Sequence, residues 1–247
     1  MKYLLPHILF VAVLLSSCAG LGSSREQASY HYQMGLSYLG ENNMTGALIE
    51  LTEAEKLTPD DPNVLNALGL AYFNKNKYAI AEQKFLKAIS LKPDFSEARN
   101  NLGLNYLVMG RWDDAIMQFK LVADDIFYPD QQTALIHLGR AYFGKGDSDK
   151  ALAVFRSAVA NNPSDQRARL DLGRVYFASG KNNLAITEYK RAVELDKDYA
   201  KAYYHLGLAY MKIHENESAK SAFMEVIRLA PDLEIGQLSR EYLESLK

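Results

Sequence analysis

The chain has 247 residues, 48% of them apolar, and its 28 basic residues nearly balance 30 acidic ones. That describes one large folded domain or two small ones, and it lacks the strongly basic face that nucleic-acid binding demands. Its single cysteine, Cys18, leaves no possible disulfide within the chain to staple the fold.

Residues 1–17 stand apart from the rest. Lys2 precedes an almost wholly apolar run from Leu4 to Leu15, interrupted by Pro6 and His7. Such a run is too short for a permanent membrane span, which takes about 20 residues, and fits the apolar core of a secretory signal peptide. Leu15-Ser16-Ser17-Cys18 resembles the lipobox of bacterial lipoproteins, whose cysteine is acylated before the leader is cleaved. The resemblance implies lipid on Cys18 and stable anchoring, since three acyl chains hold where one binds only marginally. Ala19 in place of an aspartate implies the outer membrane by the sorting rule of enteric bacteria. Residues 18–27, with Gly20, Gly22, Ser23 and Ser24, read as a flexible tether. Fully extended, Ala19 to Gln27 reaches roughly 30 Å, which keeps the folded part near the membrane.

From Ala28 one pattern recurs. Glycines at Gly35, Gly69, Gly103, Gly139, Gly173 and Gly207 are spaced by 34 residues, except for one interval of 36. Three residues after each comes a tyrosine: Tyr38, Tyr72, Tyr106, Tyr142, Tyr176 and Tyr210. Twelve residues after each comes an alanine: Ala47, Ala81, Ala115, Ala151, Ala185 and Ala219. Four further on is a large side chain, at Leu51, Phe85, Phe119, Phe155, Tyr189 and Phe223. Pro59, Pro93, Pro129, Pro163 and Pro231 close the units, with Lys197 replacing proline once. Gly and Ala suit two helices that approach closely, with an aromatic filling the space beside them. A lone helix pair cannot bury both faces, so each pair must lean on its neighbours.

These residues resemble the tetratricopeptide repeat, in six copies. The resemblance implies an all-α fold, a right-handed superhelix (α-solenoid) of six helix-turn-helix repeats. The repeats fall at 28–61, 62–95, 96–131, 132–165, 166–199 and 200–231. Asp61-Pro62 has the form of an N-cap followed by proline in the first turn. Residues 232–247, with Leu233, Leu238, Tyr242, Leu243 and Leu246 among charges, predict a thirteenth helix capping the last repeat.

Chemistry-bearing motifs are scarce. His137 and His205 hold equivalent positions two repeats apart, too far to share a metal. Asp124-Asp125 and Asp147-Ser148-Asp149 lack the loop and closing glutamate of a calcium site. Neither a phosphate-binding glycine loop, a nucleophile elbow nor a His-Glu-x-x-His is present. No catalysis, no metal, no small-molecule substrate and no cofactor are expected, beyond the covalent lipid on Cys18.

In tetratricopeptide repeats the first helix of each pair lines a peptide-binding groove. The resemblance transfers that role to Tyr32, Leu36 and Leu39; then Asn66, Leu70 and Phe73; then Asn100, Leu104 and Leu107. Later repeats supply Ile136, Arg140 and Phe143; Arg167, Leu170, Arg174 and Phe177; and Lys201, Tyr204, Leu208 and Met211. The first half is apolar with two amides, which suits an apolar or amphipathic segment whose backbone the amides could hold. The second half adds four cations among aromatics. Tyr32, Leu36 and Leu70 stand where the carboxylate-clamp form of the repeat needs Lys and Asn, which disfavours chaperone tails as ligands.

The third unit is two residues longer than the others, through Asp124-Asp125-Ile126-Phe127-Tyr128-Pro129. With Asn100-Asn101-Leu102-Gly103 upstream, this resembles the PilF/PilW family of type IV pilus biogenesis lipoproteins. The resemblance implies a non-enzymatic, outer-membrane-anchored pilotin facing the periplasm, whose partner is the secretin subunit of the pilus. Leu102 departs from the aromatic that family members tend to carry there. A general envelope scaffold for polysaccharide export or outer-membrane protein assembly remains an alternative. In another class stands an enzyme of peptidoglycan processing, or an accessory protein to one.

Overall fold

The computed structural model describes residues 24–246, and every regular element among them is helical. The expectations placed on residues 1–23, Cys18 and Ala19 included, lie outside the described residues. The helices are α1 (24–40), α2 (Met44–Leu57), α3 (Pro62–Asn74), α4 (Tyr78–Leu91), α5 (Ser96–Val108), α6 (Trp112–Ala123) and α7 (Gln131–Lys145). They continue as α8 (Ser148–Asn161), α9 (Gln166–Ala178), α10 (Asn182–Leu195), α11 (Ala200–Lys212), α12 (Asn216–Leu229) and α13 (Glu234–Ser245). Residues 24–27, expected in the tether, are already helical. No glycine or proline stands between Gly22 and Gly35, and Arg25, Glu26, Gln27 and Ala28 are strong helix formers. No described helix is long and apolar enough to cross a membrane.

Two compact units divide the chain, Met1–Met109 and Gly110–Lys247, and the boundary falls at the turn inside the third repeat. In both, the helix pairs arise from the same local chemistry. Seven residues after each repeat glycine the backbone turns through the left-handed region, at Asn42, Asn76, Gly110, Gly146, Gly180 and His214. Glycine and asparagine adopt that conformation at low cost, which makes this the natural stop between the helices of a pair. Acceptors on side chains start several helices, both within and between pairs. Asp61 accepts from the backbone N–H groups of Asn63 (2.8 Å) and Val64 (3.5 Å), with Pro62 in the first turn. Asn43, Asp130, Asp147 and Asp165 cap α2, α7, α8 and α9 in the same way.

Within a pair, glycine makes room for the large residue sixteen positions on. A Cβ on Gly139 would lie 2.6 Å from Cε1 of Phe155, and one on Gly173 would lie 2.5 Å from Cε1 of Tyr189. The alanines at Ala47, Ala81, Ala115, Ala151, Ala185 and Ala219 are fully buried beside them. Overfilling so tight a contact forces side chains off their rotamers or helices apart. Gly139→Ala is therefore expected to destabilise the protein by about 1–3 kcal/mol, read as a lower urea midpoint.

The terminal helix closes the last pair. Tyr242 of α13 stacks on Phe223 of α12, with ring centroids 5.1 Å apart. The buried residues of α13 are Gly236 and Ser239 rather than its leucines. A Cβ on Gly236 would collide with the Ala230 carbonyl oxygen, so the helix approaches backbone to backbone at that point. Leu233, expected in the apolar face, instead precedes α13 as its N-cap residue and is exposed.

The lengthened third junction folds as a turn around Asp125. Its carboxylate accepts the Phe127 N–H (2.9 Å), while its carbonyl accepts from the Tyr128 N–H (3.1 Å) and from the Gln131 side-chain amide (2.6 Å). Ile126 and Phe127 are left 79% and 87% exposed, the most open of the large apolar side chains described.

Candidate functional site

In the first unit, α1 and α3 together with α5 carry the transferred groove residues. Tyr32, Leu36 and Leu39 are half-buried and pack against a core of Ala47, Leu51, Ala54, Val64, Ala67, Leu68 and Ala71. Burial, then the nearby Glu97 and Asp61 carboxylates, push the Tyr32 phenol above its usual range. An open groove of about 670 Å³ runs beside Tyr32, walled by Arg25 of α1 and the Thr58–Val64 connection. Leu70, Leu104 and Leu107 are half-buried as well, and Phe73 meets Tyr78 edge-on with centroids 5.7 Å apart. These leucines are partly open to solvent.

The two amides are placed differently. Asn66 is 5% exposed; its Nδ2 donates to Oε1 of Glu97 (3.0 Å) and its Oδ1 accepts from Nδ2 of Asn101 (3.0 Å). It braces α3 against α5, as a buried amide must find partners somewhere. Asn100 is buried too, and Asn105 of α5 donates to the Tyr78 carbonyl at 3.1 Å. Both amides therefore lie deeper than the leucines around them.

In the second unit, α9 packs between α7 and α11. Ile136 and Leu170 are core residues, whereas Arg140, Phe143, Arg174 and Phe177 are half-buried. What joins the two arginines is Asp171, which is only 2% exposed. Arg140 Nε donates to its Oδ2 at 2.6 Å, and Arg174 Nη1 to its Oδ1 at 3.0 Å. The Arg174 guanidinium also lies over the Phe143 ring, 5.6 Å from the centroid. Arg167 is held by buried Asp165 through Nε (3.1 Å) and Nη2 (2.9 Å), and it donates to Thr133 Oγ1 at 3.3 Å. Lys201 is exposed, and Tyr204, Leu208 and Met211 are half-buried on α11.

Asp171 was missed in the sequence although a signal existed. Two residues before each repeat glycine stand Gln33, Ala67, Asn101, His137, Asp171 and His205, so Asp171 is the one carboxylate at that position. His137 and His205 occupy it on the flanking helices. Burial, and after it the Arg140 and Arg167 cations, lower the His137 pKa to about 4. Burial and then Arg174 lower His205 likewise to about 4. His137 lies against Phe119, and His205 stacks on Tyr189 at 5.7 Å. Among the described residues no group of three His, Cys, Asp or Glu is gathered that could hold a metal ion.

Paired helices closed by glycine–aromatic contacts, one left-handed turn per pair and a period of 34 residues define a class. Models of the tetratricopeptide repeat match residues 62–95, 100–166 and 200–233, and a TPR repeat model matches 173–213. The chain is a tetratricopeptide repeat protein. Its fold is similar to that of PilF from Pseudomonas aeruginosa, at 18% identity and a TM-score of 0.74, over 91% of this chain and 100% of that one. It is also similar to PilW, a widely conserved type IV pilus biogenesis factor, at 19% identity and a TM-score of 0.78, over 85% and 97%. A third likeness is to YrrB, a tetratricopeptide repeat protein with an unusual peptide-binding site, at 20% identity and a TM-score of 0.54, over 77% and 97%. No curated protein matches the sequence. Since 393 chains of known structure match, the fold is shared too widely to name a partner by itself.

Proposed function

We propose that the protein is a non-enzymatic lipoprotein of the outer membrane that binds the secretin subunit of a type IV pilus and promotes its localisation and assembly. The observation that carries the reading is the near end-to-end likeness to PilF and PilW, with TM-scores of 0.74 and 0.78 against 0.54 for YrrB at similar identity. The lipobox-like Leu15-Ser16-Ser17-Cys18 and the two-residue extension before Pro129 support it from the sequence. In this reading the lipid on Cys18 supplies the address, and the half-buried leucines of α1, α3 and α5 hold a secretin segment. Delivery of the lipoprotein then delivers both.

Cys18→Ala separates address from grip. The variant is expected in the soluble periplasmic fraction, still co-purifying with the secretin, while secretin multimers disappear from the outer membrane. Secretin multimers reaching the outer membrane as before, in cells that carry only the soluble variant, would sink the proposal.

A further inference from the structure

We infer that the face built by α7, α9 and α11 is a carboxylate-recognition site for an acidic peptide segment, with Arg140 and Arg174 as its anion-binding pair. The inference rests on the proposed protein-binding role and gives the chemistry of a second contact, in the unit that does not carry the leucine face.

Charge on this face is arranged in two layers. Below lie Asp171 and Asp165, both almost wholly buried. Above them Arg140, Arg174 and Arg167 keep 38%, 39% and 44% of their side chains exposed, and Lys201 is open to solvent. Four cations thus meet two carboxylates, and both carboxylates are on the side away from solvent. The exposed acid Asp130, which acts on Arg167 and His137, is engaged as the N-cap of α7. The histidines on either side of Asp171, held neutral at physiological pH by burial, add no charge to the face.

A buried carboxylate needs one well-placed arginine to neutralise it, and Asp171 has two, on opposite oxygens. Each guanidinium commits one N–H to Asp171, retains further N–H donors and stays more than a third exposed. Two arginines that share one carboxylate from below are close enough to share another from above. Their orientation is fixed before any ligand arrives, by Asp171 under both and by the Phe143 ring under Arg174. Preorganised planar donors of this kind favour bidentate recognition of carboxylates over a diffuse lysine field. Half-buried Phe143 and Phe177 beside the pair provide apolar contact for residues adjacent to the acid. An extended segment with glutamate or aspartate next to aliphatic residues satisfies both requirements.

The test uses the purified protein and a fluorescein-labelled peptide of alternating Glu and Leu, beside the same peptide with Gln for Glu. The Glu peptide is expected to bind, with affinity falling as salt rises, and the Gln peptide to bind at least about tenfold more weakly. Arg140→Gln and Arg174→Gln, made singly so that Asp171 keeps one partner, should each weaken the Glu peptide by about tenfold or more while the helical circular dichroism persists. Lys201→Gln, on the rim, should weaken it less. Equal binding of the two peptides, or unchanged binding by both arginine variants, overturns the assignment. Displacement of the peptide by inorganic phosphate at matched concentration would make this a general anion site and also overturn it. None of these outcomes bears on secretin capture by the first unit, so the two proposals fail separately.

Discussion

Lowering the pH from above 6.5 to 4 is expected to weaken the unit of α6–α13 by roughly 3 kcal/mol for each of two histidines, His137 and His205. Both have folded-state pKa values of about 4 against an ordinary 6.5. Burial is the main cause, and the Arg140, Arg167, Arg174 and Lys201 cations add to it, while Asp130 and Asp171 oppose it. Between the two pKa values the unfolded chain binds protons that the folded one refuses, so stability rises with pH across that window. The contribution is complete above pH 6.5, is lost progressively as the pH falls, and levels off once the pH passes below about 4. Asp147 and Asp165 are also held below their ordinary range, Asp147 chiefly by its hydrogen bond from Lys150 and Asp165 by Arg167 against the cost of burial. Their protonation weakens the fold at still lower pH, outside the histidine window. Urea unfolding followed by circular dichroism should show the midpoint falling between pH 6.5 and 4. The His137→Gln, His205→Gln double variant should flatten the curve in that window. A midpoint constant over the window would mean that neither ring is kept from water.

The helix pairs were legible in the sequence because their determinants are local. Gly139 and Phe155, or Gly173 and Tyr189, are sixteen residues apart and meet within one pair, so spacing alone reveals them. The polar contacts were not legible, because they join successive pairs. Asn66 with Glu97 and Arg140 with Asp171 are each 31 residues apart, and Asn101 with Asn66 is 35. Reading one helix at a time finds neighbours three and four residues away and cannot see these. In a stacked array, though, such partners recur close to one full period, so comparing each polar residue with positions about 31 to 35 further on would have found Asp171. The same limit explains Asn66, which within its own helix reads as an exposed amide and becomes a brace once α5 lies beside it. Leu233 and Gly236 show the converse at the chain's end. The cap packs through its small residues because the approach is backbone to backbone, and hydrophobicity gives no warning of that.

Replacing Leu70 and Leu104 with Glu is expected to abolish secretin binding while leaving the first unit folded. The choice of positions follows from burial. Leu68 and Leu102, two residues earlier on α3 and α5, are fully buried, and a carboxylate there would have to be taken out of water at a cost of several kcal/mol. Leu70 and Leu104 are only half-buried, so a longer Glu side chain can turn its charge outward and the fold tolerates it. A partner segment cannot make that escape, because docking on the face would bury the carboxylates against its own apolar residues. One unpaired buried charge is enough to lose two to three orders of magnitude in affinity, about 3–4 kcal/mol, and two leave nothing measurable. Co-purification with the secretin should therefore fail while the helical circular dichroism signal and urea midpoint stay near those of the parent protein. Asn66→Ala should behave in the opposite way. It removes the brace between α3 and α5 and costs about 1–3 kcal/mol of stability, yet it leaves the leucine surface intact and binding retained below the melting transition. If the Glu double variant still captured the secretin, the partner would have to sit elsewhere on the protein. If Asn66→Ala lost the secretin at full stability, the amide rather than the leucines would be the contact.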